Sequence, residues 1–148
     1  MAKANGNEFF TVNMTEIDLT DAELFKNLVE IQNNGIYIDL HNDYYCSQLI
    51  YEPGKSNDLL LEFSLIGKEN PFKKIEIVFS DIKIKKMSLQ LLNNFHNNLT
   101  IDNIYRGRFQ VGDELYERSK NGRSYYYMDF VEGCAIELFA RFVKANLL

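Results

Sequence analysis

The feature that most constrains this chain is a change of hydrophobic period at Ile36. Just upstream, from Leu24 to Ile31, apolar residues recur at helical spacing. Downstream, they alternate with polar residues over run after run. Alternation puts every second side chain on one face of an extended strand, so such a chain must bury one face of a sheet. Ile36 to Leu40, Tyr44 to Tyr51, Asp58 to Leu65 and Lys74 to Ile84 read as strands, and Thr100 to Val111 returns to the same pattern.

The most regular alternation lies near the C-terminal end. Tyr126, Met128 and Phe130 face one way, Glu132-Gly133 turns the chain, and Cys134, Ile136, Leu138, Ala140 and Phe142 return on one face. An acid followed by Gly between two alternating runs resembles the Asp-Gly signal of a tight hairpin. Between Phe79 and Ile82 the parity slips, which predicts a bulge or bend near Ser80-Asp81. Glu52-Pro53-Gly54-Lys55 and Asn70-Pro71 read as turns.

From Leu19 to Gly35 the signals are helical. Thr20-Asp21-Ala22-Glu23 fits a capping box, with Leu19 and Leu24 placed as a hydrophobic staple. Leu24, Phe25, Leu28 and Ile31 make an apolar stripe, and Asn33-Asn34-Gly35 tolerates a left-handed cap. These predict a helix over Asp21 to Gln32, preceded by a strand over Glu8 to Met14. Ser88 would cap a short second helix carrying Leu89, Leu92 and Phe95, ended by Asn97-Asn98. The expected fold is α+β: a mainly antiparallel curved sheet or partly open barrel with one N-terminal helix and one short second helix. With 148 residues and no linker or repeat, Met1 to Leu148 reads as a single domain.

Charge is divided unevenly. Met1 to Ile66 holds eleven acidic and three basic side chains, a net of −8, while Gly67 to Leu148 carries a net of +3. Asp18, Asp21, Glu23 and Glu30 are accounted for by the expected helix, whose dipole favours early acids. The acids from Asp39 to Glu62, interleaved with Tyr44, Tyr45 and Tyr51, are not. Such a field steers a basic partner, and tyrosine supplies contact area with a polar tip. Asp43, Tyr44, Tyr45, Glu52 and Asp58 are the expected contact residues.

Several function classes are excluded by what the chain lacks. It has no phosphate-cradling glycine motif, no G-x-S-x-G and no H-E-x-x-H, which removes the enzyme families recognisable from one chain; no catalytic residue or cofactor is singled out, and the leading expectation is a non-enzymatic binding protein. Cys46 and Cys134 have no metal-ligand spacing. No apolar region follows Phe9-Phe10 as in an export signal, and no run approaches the roughly 20 apolar residues of a membrane span. The expectation is a cytoplasmic protein with free thiols and no membrane partner. Arg106-Gly107-Arg108 and the loop Arg118 to Arg123 are basic, but a sequence pI of about 5.1 argues against nucleic acid. Asn121-Gly122 is more simply a hairpin turn. Alternate positions Asp39, His41 and Asp43 could share a strand face and hold a metal, although Asn42 and Asp43 also suit a polar turn.

The run from Ile36 through Leu65, with "GIYIDLHNDYYCSQLIYEPG" and "DLLLEFSLI", and the end "SYYYMDFVEGCAIELFARFV" resemble the strand-rich body of small bacterial immunity proteins. These are single-domain inhibitors paired with toxins. The resemblance implies stoichiometric binding to a cognate basic toxin, with acids covering its active site. The leading expectation is therefore an immunity-type inhibitor using an acidic, Tyr-rich face. A small-ligand pocket lined by Phe and Tyr in a curved sheet is the second reading. A metal-dependent hydrolase built on Asp39, His41 and Asp43 is the third.

Overall fold

The structure, a computed structural model, describes residues 14–67, 69–89, 99–131 and 133–148. These residues form thirteen strands and one four-residue helix. The strands are β1 (Thr15–Asp18), β2 (Glu30–Asn33), β3 (Ile36–Asp39), β4 (Tyr44–Tyr51), β5 (Leu59–Leu65), β6 (Lys74–Ser80) and β7 (Lys83–Ser88). They continue as β8 (Ile101–Gly107), β9 (Phe109–Val111), β10 (Glu114–Tyr116), β11 (Ser124–Phe130), β12 (Ala135–Ala140) and β13 (Phe142–Leu147), and helix α1 (Leu40–Asp43) joins β3 to β4.

Two larger sheets carry the fold. One has five strands in the order β1-β13-β6-β5-β4, the other four in the order β7-β12-β11-β8; β2-β3 and β9-β10 are separate hairpins. Every paired strand is antiparallel. The fold is thus mostly antiparallel sheet with almost no helix, and among the described residues the sheets do not close into a barrel.

One bent ribbon links the sheets. β6 pairs with β13 in the five-stranded sheet, and their continuations β7 and β12 pair in the four-stranded one. Both strands change sheet at the same level, between Ser80 and Lys83 and at Arg141. The bend expected near Ser80-Asp81 is this crossing. Asp81 takes a left-handed conformation, φ 53°. Its carboxylate is held by Arg123 Nη2 at 2.8 Å and Arg141 Nε at 2.9 Å, while Arg141 N–H donates to the Ser80 carbonyl at 3.0 Å. The kink also corrects one facing. Cys134, Ile136, Leu138 and Ala140 are buried as expected, whereas Phe142, beyond Arg141, is exposed.

The inner faces meet in a core that includes Leu59, Leu61, Phe63, Ile75, Ile77, Tyr126, Met128, Ile136 and Leu138. Phe79 from one sheet and Tyr126 from the other touch edge to face, with centroids 5.5 Å apart.

The helix expected over Asp21 to Gln32 does not form. Thr20 Oγ1, its intended cap, instead accepts from Val143 N–H at 3.1 Å. The chain then runs along the free edge of β8: Phe25 N–H donates to Arg106 O at 2.8 Å and Leu28 N–H to Ile104 O at 2.7 Å. Asn27 Oδ1 accepts from Ile104 N–H at 3.1 Å. An isolated helix of this length is marginal, and an edge strand's unpaired groups offer the backbone a competing set of partners. Tertiary hydrogen bonding overrides the local signals. Leu28, Val29 and Ile31 become buried, while Phe25, from the expected helical stripe, is 60% exposed.

The strand expected over Glu8 to Met14 lies outside the described residues except for Met14, which precedes β1. The second expected helix lies mostly outside them as well, and Ser88, its expected cap, ends β7. The strand expected over Thr100 to Val111 is split at Arg108 into β8 and β9, because β9 turns back to pair with β10.

Candidate binding face

The outer face of the four-stranded sheet follows from the register. Tyr126, Met128 and Phe130 of β11 point into the core, so Tyr125, Tyr127 and Asp129 project outward. Opposite them stand Gly107, Tyr105 and Asn103 on β8, and Phe139, Glu137 and Ala135 on β12.

The rings on this face form a continuous band. Tyr105 and Tyr127 are 5.2 Å apart, centroid to centroid, and Tyr125 lies 5.7 Å from Phe139. Phe109 packs edge-on against Phe139 at 5.0 Å, and Tyr116 stacks on Phe109 at 6.0 Å. At the other end Phe25 sits 6.1 Å from Tyr105. Gly107 joins the groups: a Cβ there would lie 3.3 Å from Tyr125 Cδ2 and 3.5 Å from Phe25 Cε1. Next to the band, the β9-β10 hairpin exposes Val111 (60%) and Leu115 (65%). The rings of β8, β9, β11 and β12 are half-buried, while Phe25, Tyr116, Val111 and Leu115 are exposed at the ends of the band, and apolar side chains gathered in this way mark interaction surfaces.

Carboxylates are built into the band. Tyr125 hydroxyl donates to Glu137 Oε1 at 2.5 Å, and Tyr127 hydroxyl donates to Asp129 Oδ2 at 3.2 Å. Asn103 Nδ2 donates to Asp129 Oδ1 at 3.0 Å. Burial, and then the bond to the Glu137 carboxylate, push the Tyr125 phenol well above its ordinary range. Burial followed by the charge of Asp129 raises Tyr127 too. Both hydroxyls therefore stay protonated and fixed as donors. Lys85 Nζ lies 5.5 Å from the Tyr125 ring centroid and 3.8 Å from Glu137 Oε1, a cation held by ring and carboxylate together.

The five expected contact residues do not form one patch. Asp43, Tyr44 and Tyr45 lie at one end of β4, while Glu52 and Asp58 flank the turn beyond its other end, about 26 Å away along the strand. Tyr44 is fully buried and donates to Phe72 O at 2.7 Å. Tyr45 and Asp43 are half-buried, Glu52 pairs with Lys55 at 3.6 Å, and Asp58 Oδ1 accepts from Asp81 N–H at 3.2 Å.

Asp39, His41 and Asp43 are not arranged as a metal site. Asp39 caps α1: Oδ1 accepts from His41 N–H and Asn42 N–H, and Oδ2 from Asn42 Nδ2. Burial works to raise its carboxyl, but these bonds outweigh it and hold the group below the usual range. His41 Nδ1 lies 2.7 Å from Ile101 O. Among the described residues no group of three His, Cys, Asp or Glu side chains could hold a metal ion.

Cys46 and Cys134 are free and buried. The basic loop spends two of its charges internally, Arg118 on Asp21 and Arg123 on Asp81. Asn121-Gly122 forms the expected turn, with Gly122 N–H donating to Ser119 O at 2.9 Å. Two open depressions of about 320 Å³ flank Tyr37 on the β2-β3 hairpin, and core aromatic residues line neither. No helix among the described residues is long and apolar enough to cross a membrane.

Sequence reasoning passed over Tyr127 and Asp129 although their signal was present. Once Tyr126, Met128 and Phe130 are assigned inward, the intervening residues must point the other way. Comparison with known proteins adds no family: no family model matches the chain, and no curated protein or solved structure matches it either.

Proposed function

We propose that this chain is a non-enzymatic protein-binding domain of the immunity type, which neutralises a basic toxin through an acidic, tyrosine-rich face. That face is the outer surface of β8, β11 and β12, in place of the residues around β4 favoured by the charge pattern alone. One observation carries the reading: the outward-facing, half-buried aromatic band has carboxylates fastened to its tyrosine hydroxyls. Tyrosine-rich surfaces supply large contact area at low entropic cost, and interface cores are enriched in such rings. The same carboxylates disfavour a nucleic-acid partner, because Glu137 and Asp129 would repel a phosphate backbone lying on the rings.

Co-expression with the product of the adjacent gene tests this. Rescue from toxicity and a stable complex are expected, with Tyr127→Ala weakening the complex about thirtyfold, as for an interface anchor. Glu52→Gln, away from the band, should leave affinity unchanged. Absence of both complex and rescue, or a complex indifferent to Tyr127→Ala, sinks the proposal.

A further inference from the structure

We infer that Tyr105, Tyr127 and Asp129 form an arginine-binding site, which takes a guanidinium side chain from a protein partner. The inference rests on the binding role proposed above and names the chemistry recognised at the centre of that face.

The pattern is already present two residues away. There the Tyr125 hydroxyl donates to Glu137, and Lys85 places its ammonium beside the same ring and carboxylate. At Tyr127 the arrangement repeats: its hydroxyl donates to Asp129, and Tyr105 adds a second ring tilted by 34°. Here no cation among the described residues completes the set, since none of their Lys or Arg side chains lies within ion-pair distance of Asp129. Asp129 accepts two bonds, both from neutral donors, Asn103 Nδ2 and Tyr127 hydroxyl. A carboxylate has about four acceptor positions, so it retains capacity for a charged donor.

Charge and shape choose the occupant. Ring faces attract cations, and the fixed carboxylate adds a unit charge on the same side. A guanidinium is planar, less tightly hydrated than an ammonium, and able both to stack on a ring and to bond a carboxylate.

The test is a titration of the full chain, followed by NMR, with acetyl-Gly-Arg-Gly-amide and its citrulline counterpart. Saturable shifts at the Tyr105 and Tyr127 rings are expected, with the citrulline peptide at least about tenfold weaker. Asp129→Asn should weaken the arginine peptide about fivefold, with unchanged Tyr126 core signals reporting an intact fold. Lys85→Met vacates the neighbouring position and should add a second set of shifts at Tyr125. Equal response to citrulline, indifference to Asp129→Asn, no second set in Lys85→Met, or oligothymidine shifting these rings in place of the peptide each overturns the site. A partner that binds the face while the arginine peptide does not overturns this inference alone. Arginine-dependent shifts with no toxin complex overturn the immunity reading alone.

Discussion

The Tyr125 ring lies directly over Gly107 on the neighbouring strand, close enough that a Cβ on the glycine would stand 3.3 Å from Tyr125 Cδ2. The ring has little room to retreat. Its hydroxyl is fixed on Glu137, and Phe139 packs edge-on at 5.7 Å. The glycine thus brings Phe25 and Tyr125 together across β8 and makes one band of two ring clusters.

Gly107→Ala is expected to destabilise the protein. An alanine in a strand ordinarily gains about 0.5–1 kcal/mol over glycine, but crowding a packed position costs about 1–3 kcal/mol. The net loss should be near 1 kcal/mol, or about 3 °C in Tm at this chain length. Thermal unfolding measures it, and an unchanged or raised Tm would show that the ring yields.

Asp81→Asn isolates the charge at the ribbon's crossing, because asparagine tolerates the same left-handed backbone. The Arg123 guanidinium, together with Arg141, holds the Asp81 carboxyl below its ordinary value of 3.8. A depressed folded-state pKa stabilises the fold above the unfolded value, and that stability is lost as the pH falls through the folded one. The wild type should therefore lose stability on acidification below about pH 4 more steeply than Asp81→Asn does, as read by urea unfolding across that range. A double-mutant cycle with Arg141→Met should give a coupling of about 1 kcal/mol.

Tyr44 and Tyr126 bring the opposite pH dependence. Burial raises both phenols from 10.0 to about 12. The unfolded chain ionises first, so stability contributed by the neutral hydroxyls is complete below pH 10 and falls as the pH rises toward about 12. Replacing both with Phe should flatten that alkaline decline. At neutral pH Tyr44→Phe should cost about 1 kcal/mol through the lost bond to Phe72 O, and Tyr44→Ala about 3–5 kcal/mol through the cavity. Circular dichroism against pH and denaturant separates these effects.

Neither cysteine should react in the native state. Burial pushes the Cys46 thiol up to about 12, and Cys134 is 1% exposed. A thiol reagent should modify the folded protein at least about a hundredfold more slowly than the unfolded chain, which should titrate two thiols. Rapid native modification at Cys46 would point to local opening of β4.

Much of this architecture was legible in order of residues alone. The strand alternation, the hairpin at Gly133, the turn at Asn121-Gly122 and the break at Ser80-Asp81 each depend on a few neighbouring residues. Backbone geometry ties a period of two to the two faces of a strand, whatever the rest of the chain does. Even the outward set Tyr125, Tyr127 and Asp129 is implied by the inward set beside it.

Tertiary structure decided the remainder. Thr20 to Ile31 carries good helix signals, each worth tenths of a kcal/mol to about 1 kcal/mol, yet the free edge of β8 and the backbone of Val143 supply its partners instead. The bend at which the ribbon changes sheet is held by Asp81, Arg123 and Arg141, residues brought together from far apart in the chain. Tyr44 and Tyr127 are both strand tyrosines among acids, but one fills the core and the other lies on the surface. Local sequence determines which side chains share a face; only the packing of the sheets determines which face meets water.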